Sequence, residues 1–330
     1  MKRKITLLAL IITTFNMSFG QNINAEKDAF AHTFSIVARD SITGEMAVAV
    51  QSHWFSVGSL VSWGKSGVGV VATQSFVNPA YGPNGLELMA KGISAKDALD
   101  QLIAKDDGRD YRQVAFLDNT GTAAAYTGEK CVESAHQITG SNFSVQANMM
   151  LNDEVVPAMA KAFKENNNLP LAERVVEVLK AAQAAGGDIR GRQSAALIVV
   201  GPDKVENSWE EHKIDLRVDD NANPIEELDR LLKTARAYEY MNRGDLAVEA
   251  GDVNKALEEY GTAETMFPDN LEMKFWKAVA LANGGRVREA KPIFKSIFEK
   301  EKNWRTMVSR LVKPGLITVS PEELEEIKNL

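Results

Sequence analysis

The sequence predicts a mixed α+β fold, in which a layered sandwich of sheets and helices precedes an all-α helical-repeat domain. Runs of apolar and β-branched residues lie at both ends of residues 32–220, with helix-like segments between them. This order is typical of a layered sandwich and differs from the strict strand–helix alternation of a doubly wound sheet. A separate pattern recurs with a spacing of 34 residues after residue 236, and a period of that length indicates a helical repeat.

Length, charge and composition exclude some classes of protein. The chain has 330 residues, which exceeds the usual size of one domain and predicts two. Its formal net charge is −7 and it has no basic stripe, so nucleic acid is not an expected partner. Cys131 is the one cysteine, which excludes an intramolecular disulfide. The four histidines lack metal-ligand spacing, and Gly67-Val68-Gly69 lacks the third glycine of a dinucleotide motif, so we expect neither a metal nor a cofactor.

The N-terminus has the pattern of a secretory signal peptide. Positions 2–4 are basic, an apolar run of eleven residues follows at Ile5–Phe15, and a short stretch then leads to Gly20. Such a run is too short to span a bilayer. We therefore assign residues 1–20 to a signal peptide and the polar residues 21–31 to a linker or pro-segment. We expect a periplasmic or secreted protein with no membrane span after signal removal, and an N-terminal membrane anchor is the alternative.

Local patterns place the elements of the first domain, which we assign to residues 32–222. Strands are predicted where apolar or β-branched runs end at turn sequences such as Asn119–Gly121. Helices are predicted where apolar residues recur at helical spacing, and the last of them stops at Gly186-Gly187. The predicted strands are residues 34–38, 46–52, 67–76, 112–118, 122–128, 142–151, 192–200 and 213–220. The predicted helices are residues 86–102, 154–166 and 171–185.

The repeat lies in residues 223–330, which we assign to a second, helical domain. Small residues at Gly244 and Ala256 let two antiparallel helices approach closely, aromatic residues fill the groove, and Pro268 ends the second helix. The recurring positions are Gly251, Ala256, Tyr260 and Ala263, followed by Gly285, Ala290, Phe294 and Ile297. Over roughly residues 236–302 the pattern resembles the tetratricopeptide family.

The second copy of the repeat departs from the pattern, because Lys274 and Lys302 stand where an aromatic residue and a proline are expected. Two copies also fall short of the roughly three that an independent solenoid needs. We therefore expect the tail to pack on the sandwich or on a second subunit. Its surface either binds a protein partner or serves only to dock the tail.

Several long strings in the first domain carry a family resemblance. They are HTFSIVARD at 32–40, ATQSFVNPAYGPNGLELM at 72–89, SVQANMML at 144–151, GGDIRGRQSAALIVV at 186–200 and DLRVDD at 215–220. Together they resemble the domain-of-unknown-function family 1028, whose members are grouped by fold with the N-terminal-nucleophile (Ntn) hydrolases. The resemblance implies a four-layer αββα sandwich for this domain. It does not imply a substrate.

Thr33 is the candidate nucleophile. In the Ntn hydrolases a Thr, Ser or Cys at the start of the first strand attacks an acyl carbon, and its own α-amine acts as the base. The amine has an ordinary pKa of about 7.7–8.0, which suits that role near neutral pH. The mechanism requires Thr33 to become the N-terminus, so residues 21–32 must be removed by autolysis or by another protease. The alternative is a β-branched residue that opens a strand, as threonine commonly does.

Other polar side chains are predicted to surround the acyl group. Gln74 and Asn148 lie in otherwise apolar strands, where a buried amide needs a hydrogen-bond partner or a ligand, and they are candidate oxyanion donors. Arg190 and Arg192 bracket a glycine and would hold a carboxylate as a fork. The alternative is a structural ion pair with Asp188 or with Asp219-Asp220. The predicted catalytic residues are Thr33, Asn148 and Gln74, and the predicted substrate-binding residues are Asn78, Tyr81, Arg190, Arg192 and Gln193.

These expectations define two hypotheses for the whole chain. The first is an exported Ntn-type amidohydrolase that cleaves a small amide, carbamoyl or peptide bond. The second is a non-catalytic binding or scaffold protein of the cell envelope, which uses the sandwich and the helical tail to recognise a partner. Under either hypothesis the tail is open to a protein partner or to self-association.

Overall fold

Two antiparallel sheets form the first part of the chain in a computed structural model that describes residues 29–330. The predicted signal peptide lies outside the described residues. The first sheet contains β1 (Ala29–Ala31), β4 (Ser62–Lys65), β5 (Gly69–Val77), β6 (Arg112–Asp118) and β7 (Ala123–Thr127), in the order β1-β5-β6-β7 with β4 also on β5. The second contains β2 (Thr33–Arg39), β3 (Met46–Ser52), β8 (His136–Gly140), β9 (Phe143–Ala147), β10 (Ser194–Val200) and β11 (His212–Val218), in the order β11-β10-β3-β2-β9-β8.

The two sheets face each other, and helices cover their outer faces. Successive side chains of a strand point to opposite faces, so β2 places Ile36 against helices and Val37 against the first sheet. Helices α3 (Val155–Glu165) and α4 (Leu171–Ala184) pack on the second sheet. Helices α1 (Tyr81–Ala90) and α2 (Ala95–Ile103) pack on the first sheet, around Phe116. The mixed α+β composition agrees with the prediction.

Three short strands were not predicted from the sequence. β1, β4 and β8 have only three to five residues each, and they carry no clear alternation of apolar side chains. Backbone pairing holds them on their neighbours, and that pairing needs no side-chain pattern. β1 lies at the end of the segment that was assigned to a linker or pro-segment, and its residues Ala29–Ala31 pair in register with residues 75–77 of β5.

The helix α5 (Pro224–Glu249) joins the sandwich to the tail. Its first turns bury Leu228 and Leu232 in the core between the second sheet and its helices. Farther along, Met241 belongs to the core of the tail. Arg236 donates two hydrogen bonds to Glu173 of α4, at 2.8 and 3.1 Å. The tail therefore docks on the sandwich of its own chain, which was one of the two predicted arrangements.

Five further helices complete the tail, and they reproduce the predicted repeat. They are α6 (Val253–Met266), α7 (Leu271–Asn283), α8 (Val287–Lys300), α9 (Asn303–Arg310) and α10 (Pro321–Lys328). Gly251 and Gly285 precede α6 and α8 with φ angles of 75° and 73°, so the two copies turn in the same way. Phe275 is buried beside Trp304, with ring centroids 4.7 Å apart, and closes the core of the second copy. Within residues 29–330, no helix combines the length and the apolar character that crossing a membrane requires.

We expect Gly244→Ala to destabilise the tail. A methyl group at Gly244 of α5 would meet the ring of Tyr260, which is held by a 2.7 Å hydrogen bond from its hydroxyl to Asp245. Overpacking of this kind costs about 1–3 kcal/mol. Gly261→Ala in α6 is the matched control, because open space surrounds that position, and it should stabilise the helix by up to about 1 kcal/mol. Urea titration of the full-length variants measures both free energies of unfolding, and equal effects would contradict the predicted packing.

Candidate active site

The space between the two sheets is apolar at one end and polar at the other. On β5 the inward residues run from Val70 to Gln74, and on β6 they run from Leu117 to Gln113. The polar side chains are fully buried, so each needs a partner within the protein. We call this set the polar layer: Thr33, Ser35, Ser52, Gln74, Gln113, Ser144, Gln146 and Asn148.

Hydrogen bonds within the polar layer fix the orientation of its amides. The side-chain oxygen Oε1 of Gln113 accepts from Gln74 Nε2 at 2.6 Å and from Asn148 Nδ2 at 2.9 Å. The side-chain oxygen Oε1 of Gln74 accepts from the Ser35 hydroxyl at 2.6 Å, and Gln146 Nε2 donates to the same hydroxyl. Each amide thus determines the direction of the next. A satisfied buried network of this kind is rigid.

The chain passes from the first sheet to the second at the peptide bond between His32 and Thr33. β1 ends at Ala31 in the first sheet, and β2 begins at Thr33 in the second. The carbonyl oxygen of Thr33 accepts from the Asn148 backbone N–H at 3.1 Å and from Gln74 Nε2 at 3.2 Å. Gln74 and Asn148 therefore hold the main chain of Thr33 in place.

The carbonyl oxygen of His32 is also bound by two donors. The Ser52 hydroxyl donates to it at 2.6 Å, and Arg190 Nη2 donates at 2.8 Å. Asp188, whose side chain is fully buried, accepts from Arg190 Nε at 3.0 Å and from Nη2 at 2.7 Å. The ion pair with Asp188 therefore forms and holds the guanidinium. One neutral and one charged donor thus converge on the carbonyl that precedes Thr33.

The imidazole of His32 lies in its own pocket beside the polar layer. It is 2% exposed, and its Nδ1 lies 2.7 Å from Asn148 Oδ1. The Asn148 amide is oriented by Gln113, so Oδ1 accepts and His32 Nδ1 carries the proton. The ring makes a T-shaped contact with Phe76, with centroids 5.9 Å apart and ring planes at 90°. Burial lowers the pKa of His32, and the positive charge of Arg190 acts in the same direction, so the ring is neutral near pH 7.

Asn78 and Tyr81 lie elsewhere. The Asn78 carboxamide accepts from the Ala80 backbone N–H, and the Tyr81 hydroxyl donates to Asp106 at 3.0 Å. Burial and the nearby Asp106 carboxylate raise the pKa of Tyr81. Both residues line an open cleft of about 440 Å³ whose lining includes neither Thr33 nor Arg190. The structure does not bring these two predicted residues to Thr33.

The predicted arginine fork does not form. Arg192 donates to Asn223 at 3.1 Å, near the start of α5. Gln193 donates to Asp220 at 3.1 Å. Gly191 has a φ of 113° and turns the chain between the two arginines, so only Arg190 reaches the His32 carbonyl.

Four residues of the site were not predicted as functional: His32, Ser52, Gln113 and Asp188. Gln113 carried a readable signal, since it is an amide at an inward position of an apolar strand, as Gln74 is. His32 and Asp188 lie outside the strands β2 and β10 and follow no periodic pattern. In the described part of the chain, no three side chains of His, Cys, Asp or Glu are grouped to hold a metal ion.

Comparisons with known proteins place the chain in a family. The model of a family of unknown function, DUF1028, matches residues 33–228, and a tetratricopeptide-repeat model matches residues 247–312. The chain belongs to the DUF1028 family, as its sequence strings predicted. A crystal structure of a DUF1028 protein from Silicibacter pomeroyi is similar, with 32% identity and a TM-score of 0.56, over 62% of this chain and 89% of that one. No curated protein matches the sequence.

We expect His32 to make the folded chain less stable in acid. Because the folded-state pKa of His32 lies below its ordinary value of 6.5, the unfolded chain binds this proton first. The stability from the neutral ring is therefore complete above pH 6.5 and is lost as the pH falls below it. His32→Asn keeps a neutral donor and should flatten this part of the pH profile. Both proteins also carry Thr33→Ala, so that residue 32 stays part of the chain. Their free energies of unfolding between pH 8 and pH 5 provide the test, and identical slopes would contradict it.

Proposed function

We propose that this DUF1028 protein is the precursor of an Ntn-type amidohydrolase, and that the peptide bond between His32 and Thr33 is cut to expose Thr33. The main support is the geometry at the His32 carbonyl oxygen, which accepts from the Ser52 hydroxyl at 2.6 Å and from Arg190 Nη2 at 2.8 Å. A carbonyl polarised by two fixed donors, directly before a hydroxyl residue, is arranged for acyl transfer. The family match that begins at residue 33 also supports this position.

The cut proceeds by acyl transfer from nitrogen to oxygen. The Thr33 hydroxyl attacks the His32 carbonyl carbon, and negative charge develops on the oxygen that Ser52 and Arg190 bind. The C–N bond breaks, the hydroxyl proton passes to the nitrogen, and an ester joins His32 to the Thr33 oxygen. Water then hydrolyses this ester, which leaves a carboxylate on His32 and restores the hydroxyl of Thr33 beside its new α-amine.

The exposed Thr33 would then act on an external amide, carbamoyl or peptide bond. Its α-amine takes the hydroxyl proton, and the acyl group passes to Thr33 and then to water. In this proposal Ser52 and Arg190 are the oxyanion donors. Gln74 and Asn148 are positioning residues, because their donors are used on the Thr33 carbonyl and on Gln113.

Export belongs to the proposal as well. It is supported by the basic start and apolar run of the first twenty residues. Export would deliver the chain to the periplasm or outside the cell. A cut after His32 would leave the preceding segment without a covalent bond to the sandwich. The pairing of β1 with β5 and the hydrogen bonds of His32 to Ser52 and Arg190 would still hold it.

A partner-binding role of the tail is the second candidate. A cleft of about 460 Å³ lies in the tail and is lined by the aromatic rings of Tyr260 and Trp276. Asp245, Glu249 and Glu272 also line it. Tetratricopeptide-like tails are compatible with protein interaction, and the acidic lining favours a basic peptide.

The mass of the mature protein tests the proposed cut. The purified protein should begin at Thr33, whereas Thr33→Ala should retain the preceding segment because the attacking hydroxyl is lost. Ser52→Ala removes one of the two donors and should slow the cut. Intact-mass analysis of each protein reads the N-terminus. A wild-type chain that begins at Gln21 and hydrolyses amides would contradict the mechanism.

Arg190→Gln should slow the cut by about a hundredfold, because it removes the charged donor from the His32 carbonyl. Arg192→Gln is the matched control. It carries the same change two residues away, at a side chain bound to the start of α5, and should stay within about threefold of the wild-type rate. The fraction cut is followed by mass against time after refolding. Equal rates for the two variants would exclude Arg190 from the oxyanion site.

A further inference from the structure

The protein binds both parts of the His32 acyl group, the carbonyl oxygen and the side chain. The carbonyl oxygen lies on Ser52 and Arg190, and the side chain fills a separate pocket in which it is 2% exposed. When the chain is cut, this same acyl group is the first one transferred to Thr33. An external substrate must present its carbonyl carbon to the same hydroxyl. Its acyl side chain then falls where the imidazole of His32 lies.

The pocket selects its occupant through a hydrogen bond of fixed direction to Asn148. Asn148 Oδ1 faces the ring at 2.7 Å and can only accept, because Asn148 Nδ2 is committed to Gln113 at 2.9 Å. An occupant without an N–H at this point would leave a buried acceptor unpaired. Asn148 is fully buried while the pocket is filled, so an occupant that fills the pocket without an N–H also keeps water from replacing the lost donor.

The shape of the pocket favours a flat ring. Phe76 meets the imidazole edge-on at 5.9 Å, and Tyr111 packs behind Phe76 with ring centroids 5.2 Å apart. Two edge-to-face aromatic contacts give this wall a fixed position. A branched aliphatic side chain would not reproduce the edge-on contact.

The charged residues near the pocket also restrict which side chains it can hold. The guanidinium of Arg190 lies close enough to disfavour a second positive charge in the pocket, and it is only partly offset by Asp188. A lysine or arginine side chain would therefore be excluded. An acid would place its oxygens against Asn148 Oδ1, where both groups accept.

We infer that the His32 pocket is the acyl-side-chain pocket of the mature enzyme, and that its substrates are amides or short peptides whose acyl residue carries a neutral ring with an N–H donor, histidyl amides above all. This inference rests on the proposed function, because the pocket opens only when the segment ending at His32 has been cut off. In the uncut chain the imidazole of His32 itself occupies this pocket, so a ring of that size fits.

Hydrolysis of a matched substrate series tests the inference. Mature full-length enzyme is given histidyl, phenylalanyl and leucyl amides of the same fluorogenic amine. We expect kcat/KM for the histidyl amide to exceed that for the phenylalanyl amide by about tenfold, which corresponds to one hydrogen bond. A phenylalanyl or leucyl amide hydrolysed equally well or faster, by protein that begins at Thr33, would overturn it.

Binding of the released segment gives a second measurement that does not depend on turnover. A synthetic peptide of residues 26–32 should bind the mature protein in calorimetry, with its terminal carboxylate on Arg190. The same peptide with His32→Phe keeps the strand pairing and the carboxylate, and should bind about tenfold more weakly. Equal affinities would overturn the inference.

The two levels of the proposal fail in different ways. If intact mass shows a chain that begins at Gln21, the proposed cut itself is wrong, and the pocket stays filled by its own histidine. If the chain begins at Thr33 and neither the amide series nor the peptides prefer histidine, the cut stands and the assignment of the pocket is wrong.

Discussion

The candidate site depends on one constraint, which is that the polar layer between the sheets must be hydrogen-bonded throughout. A buried amide or hydroxyl left without a partner costs about 1–3 kcal/mol, so each member of the layer fixes its neighbour. The buried polar atoms that lack a partner among residues 29–330 include none from this layer. Asn148 and Gln74 are thereby held against Thr33, and Asn148 presents an oriented acceptor to His32.

The position of this layer follows from how the sandwich is built. Its apolar half, around Val37, Val50 and Val70, holds the two sheets together. The polar half at the other end can therefore consist of hydrogen-bonded side chains, because the apolar half supplies the hydrophobic contacts between the sheets. The crossing at His32 seals that end, because β1 pairs with the first sheet and β2 with the second. The apolar core and the candidate site thus occupy opposite ends of the same interface.

Much of the fold was accessible from local patterns, and part of the site was as well. The longer strands, the helices α3 and α4 and the 34-residue repeat all have periodic apolar residues, and periodicity is a local property. Thr33, Gln74 and Asn148 were selected as polar residues at or within apolar strands, and the structure brings them together. Arg192 was selected as the second arm of a fork with Arg190, and Gln193 lies next to it in the chain. A glycine with positive φ at position 191 separates these neighbours in space.

By itself, the sequence determined where the longer strands and helices lie, that a helical repeat follows the sandwich, and that the chain belongs with the DUF1028 proteins. Only the tertiary structure decided that residues from β2, β3, β5, β6 and β9 share one layer, and that the loop after α4 reaches the His32 carbonyl with Arg190. The physical reason is the range of the interactions. Alternation and helical spacing act between near neighbours, whereas Arg190 and His32 are 158 positions apart. Their contact depends on how the second sheet orders its strands.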